Sequence, residues 1–168
     1  MKRFLIIVLV ALAMPLIARA EQAASSPAGR ECIVADLVGT WEMVDYSPVT
    51  ERLNDNSKYI YFQFRKNGTF LRINSLKPLS KELLAANFRL PLNPPDTYRM
   101  VGNGGVAMMY PSMPNAAELA ACKVVLQGLS YHNSLGQPAT RQRGDILLSY
   151  MSQTSLRFHI LMRKKSIL

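Results

Sequence analysis

The clearest pattern in the chain is the alternation of Lys58, Tyr59, Ile60, Tyr61, Phe62, Gln63 and Phe64. Ile60, Phe62 and Phe64 fall on one face and Tyr59, Tyr61 and Gln63 on the other, the period of two that a pleated strand imposes. Lys66, Asn67 and Gly68 then supply the positive-φ residues of a tight hairpin, and 69–74 returns antiparallel. An earlier alternation runs from Thr40 to Val44, with Trp41 and Met43 opposite Thr40, Glu42 and Val44. Later, 98–101 and 106–110 flank Gly102, Asn103, Gly104 and Gly105 and read as a second hairpin. A Gly-x-Gly-Gly run cradles phosphate where a strand passes into a helix. Here strand follows strand, so the run reads as a turn.

The last third alternates again. A strand over 122–131 is followed by a polar turn region through His132, Asn133, Gly136 and Pro138. Segments 144–151 and 155–163 pair across 152–154. In the final segment Leu156, Phe158, Ile160 and Met162 share a face, opposite Arg157, His159, Leu161 and Arg163. The best helix lies at 76–87, with Ser80 as N-cap and Glu82 in the first turn. Residues 33–37 suit a short helical turn, while 88–97, with three prolines, and 111–121 read as loop and linker. Seven or eight strands and one convincing helix imply an all-β domain, either an antiparallel sandwich or a closed barrel.

The N-terminus stands apart from this pattern. Lys2 and Arg3 precede an apolar run of roughly 14 residues, and Ala18, Arg19 and Ala20 form a small-x-small cleavage site, the layout of a secretory signal peptide over 1–20. The run is shorter than the ~20 residues a spanning helix needs, and no later run is longer, so no membrane span is expected after cleavage. Residues 21–31 are small and polar and read as a flexible leader, leaving 32–168 as one domain. Loss of Lys2, Arg3 and Arg19 lowers the formal charge from +9 to +6. Arg141, Arg143, Arg157, Arg163, Lys164 and Lys165 crowd the end of the chain, but no aromatic-and-basic motif accompanies them, so nucleic acid is not an expected partner. Two cysteines in an exported chain admit one intramolecular pairing, Cys32 with Cys122, worth roughly 4 to 5 kcal/mol for a loop of that length.

No catalytic constellation emerges. His132 and His159 lie far apart in sequence, and Gly-x-Ser-x-Gly, His-Glu-x-x-His and Cys-x-x-Cys are absent. Glu42, Asp45 and Glu51 are explained by strand position and turn solvation. Neither cysteine has a histidine or second cysteine at ligand spacing, so no metal is expected. Met100, Met108, Met109 and Met113 invite a Cu(I) reading, but Met108 and Met109, being adjacent on a strand, face opposite sides. No cofactor is implied. Asn67, Gly68 and Thr69 match a glycosylation acceptor that the turn already explains.

Gly39, Thr40 and Trp41 at the start of the first strand resemble the Gly-x-Trp signature of lipocalin-like (calycin) barrels, most closely the short bacterial type. Phe64, Asn67, Gly68 and Thr69 resemble that group's Phe-x-x-Asn/Asp-Gly-Thr hairpin. The resemblance implies an antiparallel up-and-down β-barrel of about eight strands. It also implies a structural anchor of Gly39, Trp41 and a basic residue of the final strand, Arg163 or alternatively Arg157, packed across the indole. The helix between the early and middle strands departs from the simplest barrel pattern. The expected function is that of an exported, non-enzymatic binding protein, periplasmic or secreted, holding a small apolar ligand against Ile60, Phe62, Phe64, Leu71, Leu148, Phe158 and Ile160. The alternative is a protein-interaction module toward an envelope protein, such as a protease or lysozyme inhibitor, with loops 90–98 and 110–115 as its contacts. A purely structural envelope role is a third.

Overall fold

The computed structural model describes residues 29–47, 58–90, 94–113, 117–133, 136–151 and 157–166. The expected signal peptide, most of the leader and the turn at 152–154 lie outside the described residues. Eleven strands and two helices follow in chain order: β1 (Gly29–Glu31), α1 (Val34–Leu37), β2 (Gly39–Ser47), β3 (Tyr59–Phe64), β4 (Thr69–Ser75), α2 (Lys81–Phe88), β5 (Asp96–Val101), β6 (Gly105–Met109), β7 (Ala117–Val125), β8 (Leu129–His132), β9 (Pro138–Arg141), β10 (Ile146–Met151) and β11 (Arg157–Lys165). The fold is all-β. Strands β2, β3, β4, β5, β6, β7, β10 and β11 pair antiparallel in that order, and β11 returns to β2, closing an eight-stranded up-and-down barrel. Closure leaves none of these strands with a free edge.

The closing seam runs from Thr40 opposite Lys165 to Ser47 opposite His159. Its register slips by one residue between Leu161, which faces Asp45, and Met162, which faces Met43. Val44 is the extra residue of this bulge. It lets Trp41, Met43 and Tyr46 all join the interior cluster, whereas strict alternation would turn Asp45 inward. Opposite, Phe158, Ile160 and Met162 supply the interior from β11 as the alternation predicts.

Two additions cover the outside of the barrel. Ser80 Oγ accepts from Leu83 N–H at 3.3 Å and starts α2. The helix lays Leu84 and Phe88 over Tyr61 and Leu71 on the outer face of β3 and β4. Tyr61 Oη accepts from Leu79 N–H at 3.1 Å, which fixes the approach to the helix. The second addition is the β8–β9 hairpin, inserted between β7 and β10. Its Tyr131 hydroxyl donates to Asp45 Oδ2, and Arg163 donates through Nη2 to Thr140 O at 2.9 Å. A small outer cluster of Val125, Leu147 and Leu161 is buried on this side.

Three expectations change. The leader does not run to residue 31, because β1 pairs with the C-terminal half of β7, Gly29 opposite Val125. The linker over 111–121 gives way to β7 at Ala117, which pairs with β6 on one edge and β10 on the other. Residues 122–131 are not one strand but the end of β7, a break, and β8. The expected cysteine pair is formed: Cys32 and Cys122 are disulfide-bonded, 90 residues apart in sequence, with Cα atoms 5.4 Å apart. Cys32 N–H also donates to Cys122 O at 3.1 Å, so the covalent link continues the β1–β7 ladder.

Replacing both cysteines (Cys32→Ser with Cys122→Ser) is expected to lower stability by about 4 to 5 kcal/mol, from the entropy of opening so long a loop. Urea unfolding of the oxidised and double-serine proteins measures the difference; a loss below about 1 kcal/mol would mean that the pairing of β1 with β7 persists unaided.

Candidate functional site

The barrel has one plugged end and one end lined by polar groups. At the plugged end Trp41 is 2% exposed, and its Nε1–H donates at 2.7 Å to the carbonyl of Leu37, the last residue of α1. A buried indole thereby satisfies its only polar atom. The cation over the ring is Lys164, whose Nζ lies 5.6 Å from the ring centroid and whose Cα faces that of Trp41 across the seam. Arg163, the expected partner, points the other way. Its Nε and Nη2 donate to Asp145 at 3.1 and 2.9 Å on the outer side, where Asp145 is 2% exposed. The correction follows from strand periodicity, since Met162 is inward and its neighbour must face out. The side chain of Arg157 lies outside the described set. Gly39 has φ of 144°, a conformation that suits glycine, and a Cβ there would stand 3.3 Å from Lys164 Cε.

Of the seven residues expected to line a ligand cavity, Ile60, Phe62, Phe64, Leu148 and Ile160 are buried together in the barrel interior, and Phe158 packs against them. Leu71 does not share that space. It faces Gln63 across β3–β4 and lies beneath α2 with Tyr61, Leu84 and Phe88. The interior is occupied by interlocking rings. Phe64 stacks on Phe62 and Phe70 at 6.2 and 5.6 Å and meets Tyr98 edge-on at 5.1 Å, while Phe158 stacks on Tyr150 at 4.5 Å and lies 5.6 Å from Tyr46.

Toward the opposite end, the inward positions become polar. Arg72 faces Phe62, Asn74 faces Ile60, Asp96 faces Phe70 and Glu118 faces Met108, and each is in phase with a core residue of its own strand or its partner. Tyr110, just beyond β6, packs edge-on against Phe70 at 5.6 Å and donates its hydroxyl to Glu118 Oε2 at 2.7 Å. Arg72 Nε donates to Asn74 Oδ1 at 2.9 Å. Tyr150 donates to Met108 Sδ at 3.7 Å. These groups sense one another. Burial first, then the hydrogen bond and charge of Glu118, pushes the Tyr110 phenol far above its usual range, opposed by Arg72 and aided by Asp96. Burial does the same to Tyr150, reinforced by Tyr110 and Glu118. Burial also raises the Asp96 carboxyl. Among the described residues this end is a polar rim, the mouth, in which one guanidinium, two carboxylates, an amide and the Tyr110 phenol lie beside an aromatic floor that includes Tyr150. It can hydrogen-bond one polar end of a small molecule and offer π-faces and methyl groups to the rest.

Arg72, Asn74 and Glu118 are absent from the residues expected from the sequence, and Asp96 and Tyr110 fall only within the loops 90–98 and 110–115 expected to contact a protein partner. The signal was present in part: Arg72 shares the phase of Phe70, and Glu118 that of Ala120 and Cys122. His159 Nδ1 and Ser149 Oγ are 2.8 Å apart, as their directly opposed register dictates, and His132 lies on β8. Comparison with family models, curated proteins and solved structures gives no match for this chain.

Two outcomes test this geometry. Leu71→Ala should cost about 2 to 4 kcal/mol in chemical unfolding, the usual range for a truncated core leucine, because it opens a void beneath α2. Ultraviolet titration should find at least four of the seven phenols un-ionised above about pH 10, since Tyr98, Tyr110, Tyr131 and Tyr150 are all shifted up, chiefly by burial. Unfolded phenols ionise first, so the stability these residues contribute is complete below about pH 10 and declines as pH rises beyond it.

Proposed function

We propose that this chain is an exported, non-enzymatic binding protein of lipocalin-like type, and that its ligand is a small molecule with an apolar body and one polar end. The observation that carries the reading is the convergence of Arg72, Asn74, Tyr110 and Glu118 beside the aromatic interior at the end of the closed barrel opposite Trp41. Eight-stranded barrels have room for one small ligand among their inward side chains. Phe62, Phe64, Phe70 and Tyr98 pack ring against ring within this one, as do Tyr150 and Phe158, so we place the ligand against the polar rim rather than among these rings. The Gly39–Trp41 start of β2 and the lysine across the seam support the lipocalin-like assignment. The Cys32–Cys122 disulfide suits an oxidising compartment such as the periplasm or the extracellular space. Among the described residues no helix is long and apolar enough to cross a membrane.

The close ring packing inside the barrel favours a second reading, in which loops 90–98 and 110–115 contact an envelope protein and the chain acts as an interaction module such as a protease or lysozyme inhibitor. Native mass spectrometry against amphipathic carboxylates, amines and aromatic compounds separates the two. The ligand reading expects one-to-one complexes, weakened about tenfold, or ~1.4 kcal/mol, by Arg72→Met or Tyr110→Phe. Absence of any complex, together with capture of a defined enzyme by the immobilised protein, would favour the second. Complexes insensitive to both substitutions would move the ligand away from the mouth.

A further inference from the structure

The plugged end carries a feature that the binding reading leaves unused. On the outside, where the start of β2, the β3–β4 turn and the end of β11 meet, lies a basin of about 690 Å³. Four cations line it: Arg65, Lys66, Lys164 and Lys165. Lys165 is ion-paired with Glu42 at 2.6 Å, and Arg65 is committed to Gln63 and to the Phe88 carbonyl. Lys66 and Lys164 have no ion-pair partner among the described residues; the charge of Asp36 reaches Lys164, but Asp36 is itself held by Arg30 through two hydrogen bonds of 2.6 Å. Thr40, 3% exposed, forms part of the wall, and its Oγ1 has no hydrogen-bond partner among the described residues. Buried hydroxyls are usually satisfied, so an unused one beside an excess of positive charge is informative. Cations at this density, with one paired carboxylate among them, repel one another unless an anion or the solvent intervenes.

We propose that this basin is an anion site that takes a phosphate group, with Lys66 and Lys164 as the charged contacts and the Thr40 hydroxyl as a donor. An ammonium is a compact, strongly hydrated point charge suited to phosphate. The phosphate could belong to a free phosphorylated anion or to a lipid headgroup. The site is separate from the mouth and stands whether or not the mouth binds a ligand.

The chain carries its own reporter. Trp41 is the sole tryptophan, and Lys164 lies over its ring, so an anion that draws on Lys164 changes the field at the indole. Titration of the full protein with inorganic phosphate, against chloride at matched ionic strength, should give a saturable change in Trp41 fluorescence. Lys66→Gln, on an exposed turn, should weaken this binding at least threefold while leaving the Lys164–Trp41 contact in place, and Lys66→Gln with Lys164→Gln at least tenfold by calorimetry. Thr40→Val should weaken it at least threefold without lowering the thermal midpoint, since the hydroxyl has no hydrogen bond to lose. Co-sedimentation with phosphatidylcholine vesicles, with and without phosphatidylglycerol, forms the second arm. A phosphate response identifies a free anion, and capture by anionic vesicles alone, reduced by Lys66→Gln, identifies a headgroup; both support the site. No response in either arm, or binding undiminished by Lys66→Gln and Thr40→Val, overturns it.

Discussion

The antiparallel pairing of β2 with β11 is the constraint on which the rest of the molecule depends. Without it the chain is an open meander with two unsatisfied edges, one of them carrying the only tryptophan. With it, Trp41 lies between Phe62 on one neighbouring strand and Lys164 on the other, while Leu37 takes its indole N–H. The seam also contains the bulge at Val44. That single extra residue turns Asp45 outward to receive Tyr131 and turns Tyr46 inward to meet Phe158. One local irregularity therefore serves both the outer hairpin and the inner wall.

Much of this architecture was legible because alternation records a two-sided environment. The β3–β4 and β5–β6 hairpins, the β10–β11 pair and the Ser80-capped helix all follow from residue patterns that local physics dictates. The misses share a cause. Residues 117–121 (Ala, Glu, Leu, Ala, Ala) have little β-propensity and become strand because β6 and β10 hold them from both edges. Gly29–Glu31 has no apolar pattern at all, and its pairing with β7 continues into the disulfide. Leu71 is apolar because α2 covers it on the outer face, and its neighbour Phe70 takes the inward phase. For the cation over Trp41, the alternation of Phe158, Ile160 and Met162 continues to Lys164 as the next inward residue, whereas the resemblance implies an arginine, Arg163 or Arg157.

The site at the mouth was harder to see for a physical reason. A charged residue in an inward phase looks like an error of phase unless it stands near the end of a strand. Arg72 and Glu118 do stand there, at positions where the barrel interior meets solvent. Their hydrogen bonds to Asn74 and Tyr110 fix their orientation. Recognition of the group requires knowing that β4, β5, β6 and β7 are consecutive neighbours, which brings residues from 72 to 118 around one opening.

The two ends of the barrel are electrostatically unlike. The mouth sets one guanidinium against two carboxylates, Asp96 and Glu118, and burial favours the neutral form of Asp96. The plugged end gathers Arg65, Lys66, Lys164 and Lys165, and the carboxylates near them among the described residues are Glu42, paired with Lys165, and Asp36, held by Arg30. Such an uneven distribution creates a potential that extends beyond the contacts themselves, over about one Debye length, ~8 to 10 Å at physiological salt. Among the described residues, the proposed anion site therefore lies at the more cationic of the two ends. The β2–β11 seam sets Thr40 opposite Lys165 and Trp41 opposite Lys164, so this charge pattern is built into the register of the barrel rather than being a diffuse excess of lysine and arginine.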